Sequence, residues 1–243
     1  MNVLAFDIGI KNLAFCNMAL LTVSSSSSSL INLERERERE REREGETVTL
    51  EIEKEKEKEK EIEKEKDKNR KLHVLGWEVI SLVPENSKVK KQSMDDTSAT
   101  LYVELEKRWN NSWKNTVTTI LIENQPAMKN PIMKSIQMLV YSFFVYKKIL
   151  GGSVNIDIKF MSAMCKLKIG KHLTVDIQTK SKSSYIQNKK KAIAYTKHFL
   201  PLMCINEPEW SHVLTDRKKV DDACDTCLMC IYHFNDLKVV SVL

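Results

Sequence analysis

The chain has no run approaching the ~20 apolar residues that a bilayer core demands, so a membrane-spanning helix is excluded. No basic segment precedes the N-terminal apolar run, and Asp7 interrupts it, so no secretory signal is expected. The six cysteines are irregularly spaced in a chain of 243 residues, too large to need disulfide staples; this predicts a reducing, intracellular compartment. They make no metal motif either. Cys224, Cys227 and Cys230 recur every third residue along an apolar helix, as small core residues do, and no fourth nearby cysteine completes a site. His172, His198, His212 and His233 lie apart without ligand spacing, and His73 reads as a strand residue.

What the chain does have is charge. Residues 34–68 alternate Glu with Arg and then Glu with Lys, behind a serine run at 24–29. On a helix, strict alternation sets opposite charges at i,i+3 and like charges at i,i+4, and the two roughly cancel. On a strand it leaves nothing to bury. The stretch resembles an expanded purine-rich codon repeat, and residues 24–68 are expected to be a solvated, flexible insertion in a single domain of residues 1–243. It holds 16 acidic and 12 basic residues, so the formal net charge of +6 understates the rest, where 27 basic side chains face 17 acidic ones. A remainder that basic points to a polyanionic partner, most simply nucleic acid.

Hydrophobic patterning orders the remainder. Val3–Phe6 is continuously apolar, as in a strand buried on both faces, and Leu13–Leu20 returns after the turn Asp7-Ile8-Gly9-Ile10-Lys11-Asn12. A third strand is expected over Leu72–Val83, a helix over about Thr97–Asn110, and a fourth strand over Thr118–Glu123. Asn130-Pro131 caps the next helix, which stops at Gly151-Gly152, and Val154–Phe160 alternates as a fifth strand. Helices over about Lys189–Leu200, halted by Pro201, and Val220–Phe234 close the pattern. Three meandering strands followed by β-α-β-α-β predict an α/β fold, a mixed five-stranded sheet flanked by helices.

Acidic residues at three sites end up in comparable places. Asp7 closes the first strand, Glu123 ends the fourth, and Asp222 and Asp225 share a face of the last helix at i,i+3. Buried carboxylates are costly unless cations compensate them. Four converging carboxylates make a hard-oxygen site suited to Mg²⁺ or Mn²⁺, and two such ions support phosphodiester cleavage. Residues 165–198 carry nine Lys against one Asp. There Lys166, Lys168, Lys171, Lys180, Lys182, Lys189 and Lys191 are the expected phosphate contacts, with Tyr185 and Tyr195 interleaved.

The segments Phe6-Asp7-Ile8-Gly9-Ile10-Lys11-Asn12, Ile122-Glu123-Asn124-Gln125-Pro126 and Lys218-Lys219-Val220-Asp221-Asp222-Ala223-Cys224-Asp225 resemble the RuvC-like Holliday junction resolvases, above all the poxvirus-type branch of large DNA viruses. The resemblance spans everything but the charged repeats. It implies a ribonuclease H-like fold and a Mg²⁺-dependent homodimer that cuts four-way DNA junctions in recombination and replication intermediates. It further implies two ions (Mg²⁺, with Mn²⁺ as the alternative) held by Asp7, Glu123, Asp222 and Asp225, with Asp221 a weaker candidate. A catalytic Lys is implied before the last helices, and Lys190 of Ser184–Lys191 is favoured among three consecutive lysines. For a viral chain, the implied location is a cytoplasmic replication site of the host or its nucleus. Three other readings compete: a ribonuclease H-like nuclease for RNA or RNA–DNA hybrids, a non-catalytic junction binder, and the actin and sugar-kinase type. The last needs a second phosphate loop, which the chain lacks.

Overall fold

The computed structural model describes residues 1–22, 70–83, 93–128, 130–151, 156–170, 183–215 and 219–239. The insertion expected at 24–68 and the lysines Lys171, Lys180 and Lys182 lie outside them.

Five strands, β1 (Asn2–Ile8), β2 (Asn12–Thr22), β3 (Arg70–Ser81), β4 (Thr119–Glu123) and β5 (Asp157–Met161), form one sheet in the order β3-β2-β1-β4-β5. β1–β2 and β2–β3 are antiparallel, whereas β1–β4 and β4–β5 are parallel. The longer helices are α1 (Met94–Arg108), α2 (Pro131–Gly151), α4 (Ser184–Met203) and α6 (Val220–Asp236); α3 (Cys165–Lys168) and α5 (Glu207–Trp210) are single turns. This is the mixed, helix-flanked sheet that the apolar pattern predicts.

The two-residue period of β1 and β4 sorts the core. Leu4, Phe6, Ile8, Ile120 and Ile122 pack with Trp109, Trp113, Val140 and Phe144 on one face. Val3, Ala5 and Leu121 pack with Phe199, Cys224, Cys227, Leu228 and Cys230 on the other. Cys224, Cys227 and Cys230 are therefore core, as their spacing implies. On the first face an aromatic cluster builds up around Trp113, whose ring meets Phe15 edge-on at 5.1 Å.

Local chemistry sets most element boundaries. The Ser93 Oγ caps α1 by accepting from Asp96 N at 3.0 Å, and Asn130 Oδ1 accepts from Met133 N at 3.3 Å before α2. Beyond α1 the chain widens into a π turn (Trp109–Trp113), with Lys114 N donating to Trp109 O, five residues back, at 3.0 Å. α4 departs most from expectation: it begins at Ser184 and runs through Pro201. The missing proline N–H is tolerated in the last turn because Leu200 and Met203 are buried there. Tyr195, expected at the nucleic-acid face, is only 6% exposed and packs over Gly170, where a Cβ would lie 2.5 Å from its ring.

β2 and β3 pair through to Thr22 and Arg70, so the intervening segment leaves and rejoins the sheet at the same point. Removing Glu34–Lys68 shortens the connection between two strand ends that are already held together, and closure entropy then favours the folded state by about 1 kcal/mol. A variant with a short Gly-Ser bridge in place of these residues is expected to keep the wild-type urea midpoint or exceed it. A lower midpoint would show that the repeats contribute to the fold.

Candidate active site

Strand parity builds the site. Asp7 follows Val3 and Ala5 on the α6 face of β1, and Glu123 follows Leu121 on the same face of β4. The parallel register pairs Phe6 with Ile122, so the next position sets Asp7 beside Glu123 at the carboxyl ends of adjacent strands. That end of a parallel pair is where open α/β sheets bind ligands. Glu123 pairs in register with Met161 of β5, and the chain turns from there into α3, which delivers Lys166. α6 crosses the same face and adds Asp222 and Asp225. The turn after β1 is tight: at Gly9 a Cβ would lie 2.6 Å from Asn12 O.

Asp7, Glu123, Asp222 and Asp225 line one cleft of about 390 Å³, together with Lys166, Lys189 and Lys219. Lys166 is at its centre. Its ammonium donates to Glu123 Oε1 at 3.0 Å and also to Asp225 Oδ2. Only 9% of this lysine is exposed, so it sits among the carboxylates and not on the open basic surface that composition suggested. Lys189 pairs with Asp221 and lies 4.0 Å from Asp222 Oδ1, and Lys219 lies 3.5 Å from Asp222 Oδ2. Asp221 thus faces Lys189, and Asp222 faces the cleft. Lys190 is exposed and absent from the cleft wall. Successive helix residues diverge by about 100°, so turning Lys189 inward turns Lys190 away. Lys168 is exposed and Lys191 half-buried.

An amide chain holds the other oxygen of Glu123. Gln125 Nε2 donates to Glu123 Oε2 at 3.0 Å, and Gln137 Oε1 accepts from Gln125 N at 2.8 Å and from Lys134 Nζ at 3.2 Å. Gln137 is fully buried, and its Nε2 has no hydrogen-bond partner among the described residues. Spacing alone did not single out Gln137; a Gln standing three residues before Val140 and seven before Phe144, on the buried face of α2, was the available signal.

Crowding governs the ionisation. Burial raises Asp7 well above the usual aspartate range, and its hydrogen bond to Glu123 and that residue's charge raise it further. Burial also pushes Glu123 up, but the hydrogen bond from Asp7 and the charge of Lys166 prevail and hold it low. Asp225 is raised to about 6 by burial, against the pull of Lys166. Asp222 is raised by burial and by Asp221. Burial disfavours the Lys166 charge, yet Asp7, Asp225 and Glu123 hold it firmly protonated. The cluster carries more carboxylate than one ammonium can neutralise.

Among the described residues no three acidic, imidazole or thiol side chains form a ready-made metal site. The donor chemistry nonetheless fits a hard divalent cation: carboxylates alone, crowded and short of positive charge.

The state of Asp7 is testable in metal-free protein. The unfolded chain ionises Asp7 near pH 4, whereas the folded chain keeps the proton, so this residue opposes folding increasingly as pH rises above about 4. Asp7→Asn removes that term while leaving a donor for Glu123. In chelator, wild type and Asp7→Asn should have similar urea stability near pH 4, with the variant the more stable at pH 7. A variant less stable at pH 7 would contradict a protonated Asp7.

No family model matches the chain. An uncharacterized protein of Acanthamoeba polyphaga mimivirus is 34% identical over 155 residues, 61% of this chain; the match covers 36% of that relative, so the chain spans about a third of its length. Among solved structures, the yeast mitochondrial Holliday junction resolvase is similar at a TM-score of 0.50 and 15% identity, over 97% of this chain and 83% of that one. The fowlpox virus Holliday junction resolvase matches at 0.49 and 12%, over 98% and 99% of the two chains. RuvC of Thermus thermophilus in complex with a Holliday junction substrate matches at 0.49 and 9%, over the full length of both. The chain has the ribonuclease H-like fold of the yeast mitochondrial resolvase.

Proposed function

We propose that the chain is a structure-selective DNA endonuclease that resolves four-way junctions by divalent-metal-dependent hydrolysis of phosphodiester bonds. The observation that carries this reading is the convergence of Asp7, Glu123, Asp222 and Asp225 around Lys166 in one cleft at the ends of β1 and β4. A shared fold by itself implies no shared activity, so the argument stands on the site.

Asp7, Glu123, Asp222 and Asp225 would hold one or two Mg²⁺ or Mn²⁺ ions, which supply Lewis acidity for activating water and stabilising the departing oxygen. The protein's own groups prepare that site. Gln125 and Lys166 fix the two oxygens of Glu123. Lys166, which pairs with Glu123 and Asp225 inside the cleft, would neutralise charge developing on the phosphate, the role the sequence resemblance gave to Lys190. Lys189 and Lys219 add positive charge along the cleft for the flanking phosphates. The junction has approximate two-fold symmetry, and paired cuts need a two-fold dimer. The exposed Tyr146, Ile149 and Leu150 at the end of α2 offer an apolar surface for such a contact.

The experiment presents a synthetic four-way junction, a linear duplex and an RNA–DNA hybrid to the protein in Mg²⁺. Paired nicking of the junction alone is expected; preferred cutting of the hybrid would move the protein to another substrate class. Asp7→Asn, Glu123→Gln, Asp222→Asn and Asp225→Asn should each slow single-turnover cleavage by at least about a hundredfold while junction binding persists, because lysines supply the affinity. Lys166→Ala should slow cleavage similarly, whereas Lys190→Ala should stay close to wild type. The reverse order would return the catalytic role to Lys190.

A further inference from the structure

The acidic side of the cleft explains its carboxylates and lysines but not its other wall. Tyr185, Met133, Met164 and Leu167 line the same cavity as Asp7 and Asp225. Tyr185 is 65% exposed and Met164 59%. Their ring and thioether stand open to solvent beside a site built for a phosphodiester. The Tyr185 ring is held in place. The Lys189 ammonium lies over it, 4.9 Å from the centroid, and Lys189 is in turn ion-paired with Asp221 at the start of α6. Asn188, on the same stretch of α4, brings an amide to the cavity wall.

A continuous duplex gives such a wall nothing to hold. Its bases are stacked on both faces, and only sugar and phosphate reach a surface cleft. At a branch point the continuous stack is interrupted where strands exchange, so turning one base outward costs less there than inside a duplex. Aromatic rings bind such a base through its π face whatever its identity, and apolar side chains close around it. We infer that this wall is a nucleobase subsite, in which Tyr185 stacks one unstacked base next to the scissile phosphate, with Met133 and Met164 packed around it and Asn188 facing its polar edge. The inference rests on the endonuclease reading above and adds the source of a preference for branched over linear DNA. Because stacking is indifferent to base identity, the subsite selects for broken stacking rather than for sequence.

The test uses a junction carrying a fluorescent, stacking-sensitive adenine analogue beside the scissile phosphate, with the full chain in the Glu123→Gln background and Mg²⁺ present. Binding should change the analogue's fluorescence with Tyr185 or Tyr185→Phe in place, and leave it unchanged with Tyr185→Ala. Tyr185→Ala should also lose about ten- to hundredfold in junction affinity, narrowing the ratio of junction to linear-duplex affinity by the same factor. Met164→Ala, on a different element, should narrow that ratio less and in the same direction. A Tyr185→Ala variant that keeps both the fluorescence response and the ratio would overturn the subsite and leave the nuclease reading standing. A chain that, with Glu123 intact, neither binds nor cuts the junction would overturn both.

Discussion

The arrangement of the molecule turns on one electrostatic problem: several carboxylates held out of water at the ends of adjacent strands, with Lys166 as the only cation among them that is itself buried, within the described residues. Isolated ionised groups in such a place are prohibitive, and the protein meets the cost in three ways. Burial raises Asp7 well above the usual aspartate range, and its hydrogen bond to Glu123 favours the protonated form. Lys166 is drawn inward to bridge Glu123 and Asp225. Asp222 sits at the first turn of α6, where the helix dipole favours negative charge and Lys219 is close. Each device is partial, and the remaining deficit of positive charge is what a divalent cation would relieve. Crowded carboxylates of this kind cost stability, the recurrent trade-off of sites built to take a ligand.

The surrounding structure serves to hold that cluster still. β1 is buried on both faces, so the position of Asp7 is fixed by core packing on two sides. Trp77 Nε1 donates to Ala223 O at 2.8 Å, which ties β3 to the turn of α6 that carries Asp222 and Asp225. On the outer edge, Asn206 matches both backbone groups of Val74, accepting from its N at 3.0 Å and donating to its O at 2.8 Å. That pairing protects a long strand that would otherwise present an open edge.

Much of this was legible in the sequence, for identifiable reasons. The order of elements along the chain and the α/β class follow from local apolar periods, and the carboxylates stood out because acidic residues closing apolar runs are rare without a purpose. Lys166 was recognisable only as one lysine of a basic stretch. Its approach to Glu123 depends on the β4–β5 register, a long-range pairing that no local pattern encodes. Lys190 was favoured over Lys189 and Lys191 without a helical phase, because a helix expected from Lys189 rather than from Ser184 left no fixed reference for which lysine turns to the cleft. Tyr195 was misjudged because an aromatic among lysines looks the same whether it faces solvent or, as here, the glycine of a neighbouring turn.

The two tyrosines of α4 carry this distinction further. Tyr185 and Tyr195 lie ten residues apart on one helix, both with lysines nearby, yet one is open at the cleft and the other sealed in the core. The difference arises because α4 leaves the protein body at its N-terminal turns. Its buried residues begin only at Ala192, and the turns before it project beyond the apolar core towards the carboxylates. A helix end that projects in this way can present side chains to a ligand without sacrificing core packing. Substitutions at Tyr185 or Asn188 therefore alter the cleft wall with little effect on the fold, whereas those at Tyr195 or Phe199 act on the packing that orients the whole cleft wall.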